Sequence, residues 1–561
     1  MKRIGLNSRA AGAILLAFVL GFHSVAAEPQ HGAVATVQAL ATDAAVAAMK
    51  HGGNAIDGTI AAALTLGVVD GFNSGIGGGC FMLVRRADGS VVAIDGRETA
   101  PQAGSRDMFL RNGQAETKLS QTGPLASGVP GSLAAYDYAA RQFGKLPLRQ
   151  HLLAAAKIAA DGFVIDPNYA RRIEATAAEL KQFPASREIF LHADGTARRS
   201  GETLVQVDLA KTYRAVAEHG VDWFYRGAYA DATADWMKKN GGLLTRADFE
   251  KYEVRIREPV RTTYRGHEIV GFPPPSSGGV HVAQILNILE QFDLKSMGRD
   301  SADFIHVITE AMKLAFADRA FWLGDPDFVP VPRGLVNKDY ARQLAKTIRM
   351  DRAAAPPRHG EPARPQDDVF GKHTTHFSIS DGEGNWVACT ATVNTTFGSK
   401  VVIPGTGVVL NNQMDDFSLQ PGVANYFGLI GGEQNAIAPG KRPLSSMSPT
   451  IVLLEGKPIL SVGAAGGPTI ISQVVLAVIN VVDFKMDLKS ALARPRFHHQ
   501  WSPDELKLEK TIAEKVQRDL EKRGHKIVRV DSLASTQAVE KHSMEFSAEH
   551  EPRGHGKATV W

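Results

Sequence analysis

With 561 residues, 44% of them apolar and 22% charged, the chain has the make-up of an ordinary globular protein, with room for a large core or two closely packed units. A formal charge of +4 without any basic block argues against nucleic acid and anionic membrane as partners. The cysteines, Cys80 and Cys389, each flank a strand-like apolar run and read as buried free thiols or, in an exported protein, as a pair.

Residues 1–27 stand apart. Lys2, Arg3 and Arg9 form a basic start, Ala11 to Gly21 is apolar, and Ser24-Val25-Ala26-Ala27 is a small-residue cleavage site. This is the pattern of a secretory signal, with an uncleaved anchor as the competing reading. Removal would leave a mature protein in the periplasm or outside the cell. No later run reaches 18 apolar residues, so no membrane span is expected.

Residues 32–70 are expected to be helical in two pieces. Ala41 to His51 puts Ala45, Ala48 and Met49 on one face and stops at Gly52-Gly53; Asn54 to Val69 is Ala- and Leu-rich. Gly75-Ile76-Gly77-Gly78-Gly79-Cys80 is no dinucleotide loop, because Cys80 stands at the third glycine position and a strand follows. Phe81 to Arg86 and Ser90 to Asp95 form a hairpin that ends at Gly96-Arg97-Glu98. From about 125 to 350 the pattern is mostly helical, as in Leu209 to His219, His281 to Gln291 and Phe304 to Leu323. Pro273 to Gly279 is a rigid turn.

Ala353 to Asp368 is polar and broken by Pro356, Pro357, Pro362 and Pro365, so it reads as an exposed linker. Thr375 to Ser380 then alternates, Asp381-Gly382-Glu383-Gly384 turns, and Asn385 to Val393 returns: a strand, a turn and a strand. Thr374 sits where the linker meets the sheet. A threonine hydroxyl becomes a useful nucleophile when a base lies beside it, and an N-terminal Thr carries that base as its own α-amine, with a pKa of roughly 8. Attack on the carbonyl of His373, an N-to-O shift and hydrolysis would free that amine. On residue pattern alone, Thr374 is either this nucleophile or β-branched strand filler.

Downstream come Val408 to Phe417, the Gly-rich stretch Pro421 to Gly432, and Arg442 to Pro449. A hairpin through Glu455-Gly456 follows, then Gly463-Ala464-Ala465-Gly466-Gly467 and an apolar helix, Pro468 to Val482, with Pro468 at its first position. Glycines at a strand-to-helix turn either simply turn the chain or aim free N–H groups at an oxyanion. His498-His499 reads as core or surface, and His550, Glu551 and His555 lack zinc-helix spacing.

Thr374-Thr375-His376, Thr392 to Gly398, Leu410 to Phe417, Arg442 to Thr450 and Gly466-Gly467 together resemble the γ-glutamyltranspeptidases (γ-glutamyltransferases) of the N-terminal-nucleophile hydrolase group. Asp95 to Pro101 and Pro273 to Gly279 match as well, and the similarity runs from about 32 to 545. The resemblance implies an α+β fold, a four-layer αββα sandwich. It implies a precursor that cuts itself between His373 and Thr374 into a large subunit, 28–373, and a small subunit, 374–561, which stay together as a heterodimer. Thr374 would be the nucleophile and Thr392 would position its amine. Gly466 and Gly467 would supply the oxyanion hole. Arg97, Ser445 and Ser446 would hold the donor's α-carboxylate, and Asn394, Gln413 and Asp416 its α-ammonium. The implied substrates are glutathione and other γ-glutamyl compounds, with water, amino acids or dipeptides as acceptors. No metal or organic cofactor is implied. In lid-bearing relatives a tyrosine of the mobile loop bonds the asparagine matching Asn394. Here the loop, about 421–436, has Phe427 at that place and Tyr426 beside it. The competing functions are an acylase for glutaryl or cephalosporin side chains, in the same superfamily, and a non-catalytic periplasmic binder of γ-glutamyl peptides.

Overall fold

Cys80-Phe81-Met82-Leu83-Val84 is apolar at every position, which suits only a strand covered on both faces. The computed structural model, which describes residues 30–363, 376–543 and 545–561, supplies both covers. Phe81 and Leu83 point into a core shared with Phe272, Ile451 and Val539, while Cys80, Met82 and Val84 point into a second core packed with helices.

In chain order, the strands of the two main sheets are β1 (Gly32–Thr36), β2 (Gly79–Arg85), β3 (Val91–Gly96), β4 (Arg255–Arg257), β5 (Val260–Tyr264) and β6 (His267–Gly271). They continue as β7 (His376–Asp381), β8 (Trp386–Thr392), β9 (Thr450–Leu454), β10 (Lys457–Ala465), β11 (Ser535–His542), β12 (Glu545–Glu549) and β13 (Lys557–Val560). The 7-stranded sheet has the order β13-β1-β7-β8-β2-β3-β4, and the 6-stranded sheet β12-β11-β10-β9-β6-β5. The sheets face each other across a thin apolar layer containing Ala33, Phe81, Trp386, Ile451 and Phe546.

Helices close the outer faces. On the 7-stranded sheet lie α1 (Ala39–Lys50) and α2 (Ala55–Val69), the latter buried along its whole length. Asn54 caps α2 by accepting from Ile56 N and Asp57 N. On the 6-stranded sheet lie α3 (Ser277–Leu289), α4 (Ala302–Trp322) and α5 (Thr469–Val482), joined by the apolar side chains of β5, β9 and β10. The architecture is the α+β four-layer αββα sandwich.

Two expectations are corrected, for residues 32–36 and for Pro468. Residues 32–36 are a strand, not helix: β1 lies between β7 and β13, with Val34 opposite Ile379 and Thr559. A five-residue apolar run carries no period that separates helix from strand, so tertiary pairing decides. The middle stretch is mostly helical, as expected, with β4, β5 and β6 as short strands within it. Pro468 precedes α5 as its N-cap instead of opening it.

The proline-broken run is, over residues 353–363, neither helix nor strand, as expected. It is also strapped to α4. Ala354 N donates to Glu310 (3.1 Å), Gly360 N donates to Asp318 (2.7 Å), and the His359 ring stacks on Phe321 with centroids 3.5 Å apart. Cys80 and Cys389 are buried free thiols, and burial pushes the Cys389 thiol well up. His498 and His499 are core residues. Among the described residues, no helix is long and apolar enough to cross a membrane.

Candidate active site

The centre of the 7-stranded sheet aims two strand ends at one place. β7 begins with His376 opposite Thr390, and β8 ends two residues later at Thr392, opposite Gly79 of β2. His376 is fully buried between the sheets; a Cβ on Gly463 would come within 2.3 Å of its ring, so glycine there lets β10 pack on β7. Burial pushes this imidazole down to about 3, and it is held by Ser378 Oγ (2.7 Å) and Thr390 Oγ1 (3.2 Å). Its ring is packed between the sheets with both nitrogens hydrogen-bonded.

Thr392 Oγ1 accepts from the backbone N–H of Asn394 at 2.7 Å, which fixes the hydroxyl at the strand end. Asn394 has φ +81°, a left-handed conformation that asparagine tolerates better than most residues, and its Nδ2 donates to Asn412 O (3.0 Å). Thr392 and Asn394 line a cavity of about 730 Å³, together with Phe427, Gly466 and Gly467.

The glycine pair joins β10 to α5. Gly466 has φ +143° and Gly467 φ +59°. A Cβ on Gly467 would stand 2.6 Å from the Phe427 ring, and one on Gly466 would stand 2.9 Å from Ala534 Cα. Backbone and loop approach too closely here for any side chain. The pair faces the cavity just ahead of α5, at the positive end of the helix dipole.

The charged residues form a second, buried group that does not line the cavity. Arg97 is fully buried, and its guanidinium donates to Asp416 Oδ2 (2.7 Å), Glu98 Oε2 (3.2 Å) and Pro443 O (3.4 Å). Gln413 Nε2 donates to the same Asp416 oxygen at 3.0 Å. Gln413 Oε1, Ser445 Oγ, Ser446 Oγ and Glu98 Oε1 are buried and lack a hydrogen-bond partner among the described residues. Orphaned polar atoms are uncommon in native interiors, and Gln413 Oε1 and Glu98 Oε1 both belong to side chains that hold this ion pair.

The loop 421–436 and the turn before Asp416 connect the two groups. Asn425 Nδ2 donates to Asp416 Oδ1 (3.4 Å), Tyr426 N donates to Asp415 Oδ2 (2.9 Å), and Asn394 reaches Asn412. Gln500 Nε2 holds the loop from outside through Phe427 O (3.2 Å) and Gly428 O (3.1 Å).

Thr392, Asn394, Gly466 and Gly467 thus meet at the cavity, while Arg97, Gln413 and Asp416 meet in the buried cluster; Ser445 and Ser446 are buried just beyond Pro443, whose carbonyl accepts from Arg97, and Ser445 O accepts from Ser277 Oγ. His373, Thr374 and Thr375 lie outside the described residues, as do residues 1–29. Glu98, Asp415 and Arg319 are additions. Burial pushes Glu98 up to about 7 against the pull of Arg97, and pushes Asp415 up to about 6. Burial pulls Arg319 of α4 down to about 10 against the field of Asp416. Glu98 and Asp415 each neighbour a residue already singled out. Arg319 carries no local motif, and only the packing of α4 brings it near Asp416.

A family model for Gamma-glutamyltranspeptidase matches residues 41–561. The chain belongs to the γ-glutamyltranspeptidase family. Membership makes it an enzyme of the N-terminal-nucleophile hydrolase type. Among its relatives, the glutathione hydrolase proenzyme of Escherichia coli (strain K12) is 44% identical over 522 residues, covering 92% of this chain and 89% of that one. The acylase ACY 1 proenzyme of Pseudomonas sp. (strain SE83) is 38% identical over 519 residues, covering 91% and 89%. In structure the chain is similar to a cephalosporin acylase from Bacillus halodurans, with a TM-score of 0.86 at 30% identity over 95% of this chain and 96% of that one.

Proposed function

We propose that this enzyme is a glutathione hydrolase and γ-glutamyltransferase that cleaves itself before Thr374 and then uses Thr374 as its nucleophile. The observation that carries the substrate class is the buried Arg97–Asp416 pair, bonded by Gln413 Nε2 with Gln413 Oε1 left unpartnered. A cation and an anion side by side fit the α-carboxylate and α-ammonium of a γ-glutamyl donor. The Arg97 fork suits the carboxylate and the two serine hydroxyls are free to add to it. Asp416, with Gln413 and Asn394, takes the ammonium. The donor exchanges the internal ion pair for two external ones, so no buried charge is left alone.

Anchored at both charges, the donor presents its γ-carbonyl toward the cavity, which supplies the orientation part of the rate. The Thr374 hydroxyl attacks that carbon and its proton passes to the Thr374 α-amine, positioned by Thr392. The oxyanion forms opposite the N–H groups of Gly466 and Gly467, aided by the α5 dipole. Collapse expels the leaving amine with the proton and leaves a γ-glutamyl ester. Water then gives glutamate, and an amino acid or dipeptide amine gives a new γ-glutamyl compound.

The sheets support a product that stays together. The 7-stranded sheet would draw β1 to β4 from the 28–373 subunit and β7, β8 and β13 from the 374–561 subunit; the 6-stranded sheet is mixed in the same way. Cutting one bond removes no ladder between them. The 1–27 leader would carry the precursor to the periplasm or the medium.

A denaturing gel of purified protein should give two bands, and Thr374→Ala a single inactive one. Two bands from that variant would remove the mechanism. The acylase reading is separated by kcat/KM for a γ-glutamyl and a glutaryl anilide. Preference for the glutaryl compound in the unaltered enzyme would replace the proposal, because that donor leaves Asp416 without a partner.

A further inference from the structure

Away from the cavity, three ligating side chains converge where α4 meets the turn after α6 (Glu514–Lys522). His306 and Glu310 stand four residues apart on α4 and so share one face. His525 follows Gly524, which turns the chain at φ +98°. All three side chains are buried, and one ligand atom of each lies within 4.8 Å of the others.

The hydrogen bonds fix the tautomer. His306 Nε2 lies 2.8 Å from Arg349 O, and a carbonyl only accepts, so Nε2 carries the proton. The Nδ1 lone pair then points at His525 Nε2, also 2.8 Å away. A carbonyl on one nitrogen fixes the ring and leaves the other nitrogen as an acceptor, here of the His525 Nε2–H, which is the orientation in which protein histidines meet a metal. The charge balance favours a cation. Glu310 bonds Lys313 Nζ (3.1 Å) and Asp504 stands 3.8 Å from it, so two carboxylates share one ammonium, while Arg523 is taken by Asp303.

We propose that His306 Nδ1, His525 Nε2 and a Glu310 carboxylate oxygen bind a zinc ion. Two imidazoles and a carboxylate, with water in a fourth position, are a common tetrahedral zinc set. Nitrogens on such an ion lie about 3.3 Å apart, so the rings must part by about half an ångström. The proton on His525 Nε2 moves to its Nδ1 and none is released overall. Glu310 Oε1 accepts from Lys313 Nζ and Oε2 accepts from Ala354 N, so the ligating oxygen would bind the ion through its remaining lone pair while these donors fix the carboxylate's orientation.

The ion would clamp α4, and through Glu310 the 353–363 strap, to the C-terminal part of the chain. That it would therefore hold two subunits together rests on the proposed cleavage; ion binding does not.

The test is zinc content by mass spectrometry after reconstitution with ZnCl2 and removal of free metal. It is applied to the unaltered enzyme, to Thr374→Ala, to Glu310→Gln and to His525→Gln, which keeps a donor for His306 and so protects the fold. The expected result is about one zinc per chain in the first two and none in the last two. Co2+ should give tetrahedral visible absorption only in the first two, and dipicolinate should lower their Tm only. Absence of bound zinc in folded unaltered enzyme, or equal content in all four, overturns the proposal. A two-band Thr374→Ala sample would overturn the cleavage reading alone.

Discussion

Arg97 and Asp416, 319 residues apart in the chain, meet at 2.7 Å in a pocket where the arginine has no solvent contact. Each is the other's counter-ion, and each is the partner proposed for one end of the donor. The consequences are measurable from both sides.

Asp416→Asn keeps the shape and an acceptor oxygen for Arg97 but removes the charge that an α-ammonium needs. We expect γ-glutamyl turnover to fall by on the order of 10²-fold, about 2.7 kcal/mol, while glutaryl-amide turnover rises from near zero. Self-cleavage should go on unchanged. kcat/KM for both anilides on both proteins checks it.

Arg97→Ala takes a shared cation from Glu98 and Asp416. The donor KM should rise roughly 10- to 100-fold, the worth of one charge-assisted contact. The structure adds a stability cost, because breaking a buried pair costs about 3–5 kcal/mol. Thermal melts should therefore show a lower Tm with cleavage intact. Arg97→Lys restores charge without the fork and should recover Tm more than KM. An Arg97→Ala enzyme with wild-type KM would remove Arg97 as the clamp.

Glu98 sets a pH dependence. Burial raises it from 4.5 to about 7, so the folded chain keeps a proton that the unfolded chain gives up at lower pH. Its stabilising contribution is whole below about 4.5 and is lost as pH rises to about 7. Glu98→Gln, neutral throughout, should flatten the fall of Tm across that window. Asp415 at about 6 and Asp70 at about 8 leave a residual slope. Identical Tm profiles for mutant and wild type would rule Glu98 out.

Gly467→Ala should lower kcat far more than stability. At φ +59° an alanine costs about 1 kcal/mol, but its Cβ would drive into the Phe427 ring and shift both loop and oxyanion donors. We expect a loss of about 10²-fold in kcat. A kcat near wild type would argue against the glycine pair as the oxyanion hole.

Phe427→Tyr adds a hydroxyl to a ring that borders the same cavity as Asn394. If that hydroxyl reaches Asn394, the loop closes more tightly and the donor KM falls. Unchanged kinetics would separate loop and asparagine.

Local chemistry was legible in the chain itself. Alternation and turn residues marked the β7–β8 and β9–β10 hairpins, because a period of two and a Gly-bearing turn report backbone geometry directly. The resemblance to the family marked Thr392, Asn394, Arg97 and Asp416, and the strand-to-helix turn marked the glycine pair. What the chain could not reveal depends on distant partners. Residues 32–36 became a strand because β7 and β13 supplied the ladder, not because of any period of their own. Arg319 joined the charged cluster through the packing of α4, and the proline run became a strap through Glu310 and Asp318. His306 and His525 met across 219 residues of chain. Pairing, burial and the fields they create are properties of the folded arrangement, so only the tertiary structure decided which charges face each other and which polar atoms are left waiting.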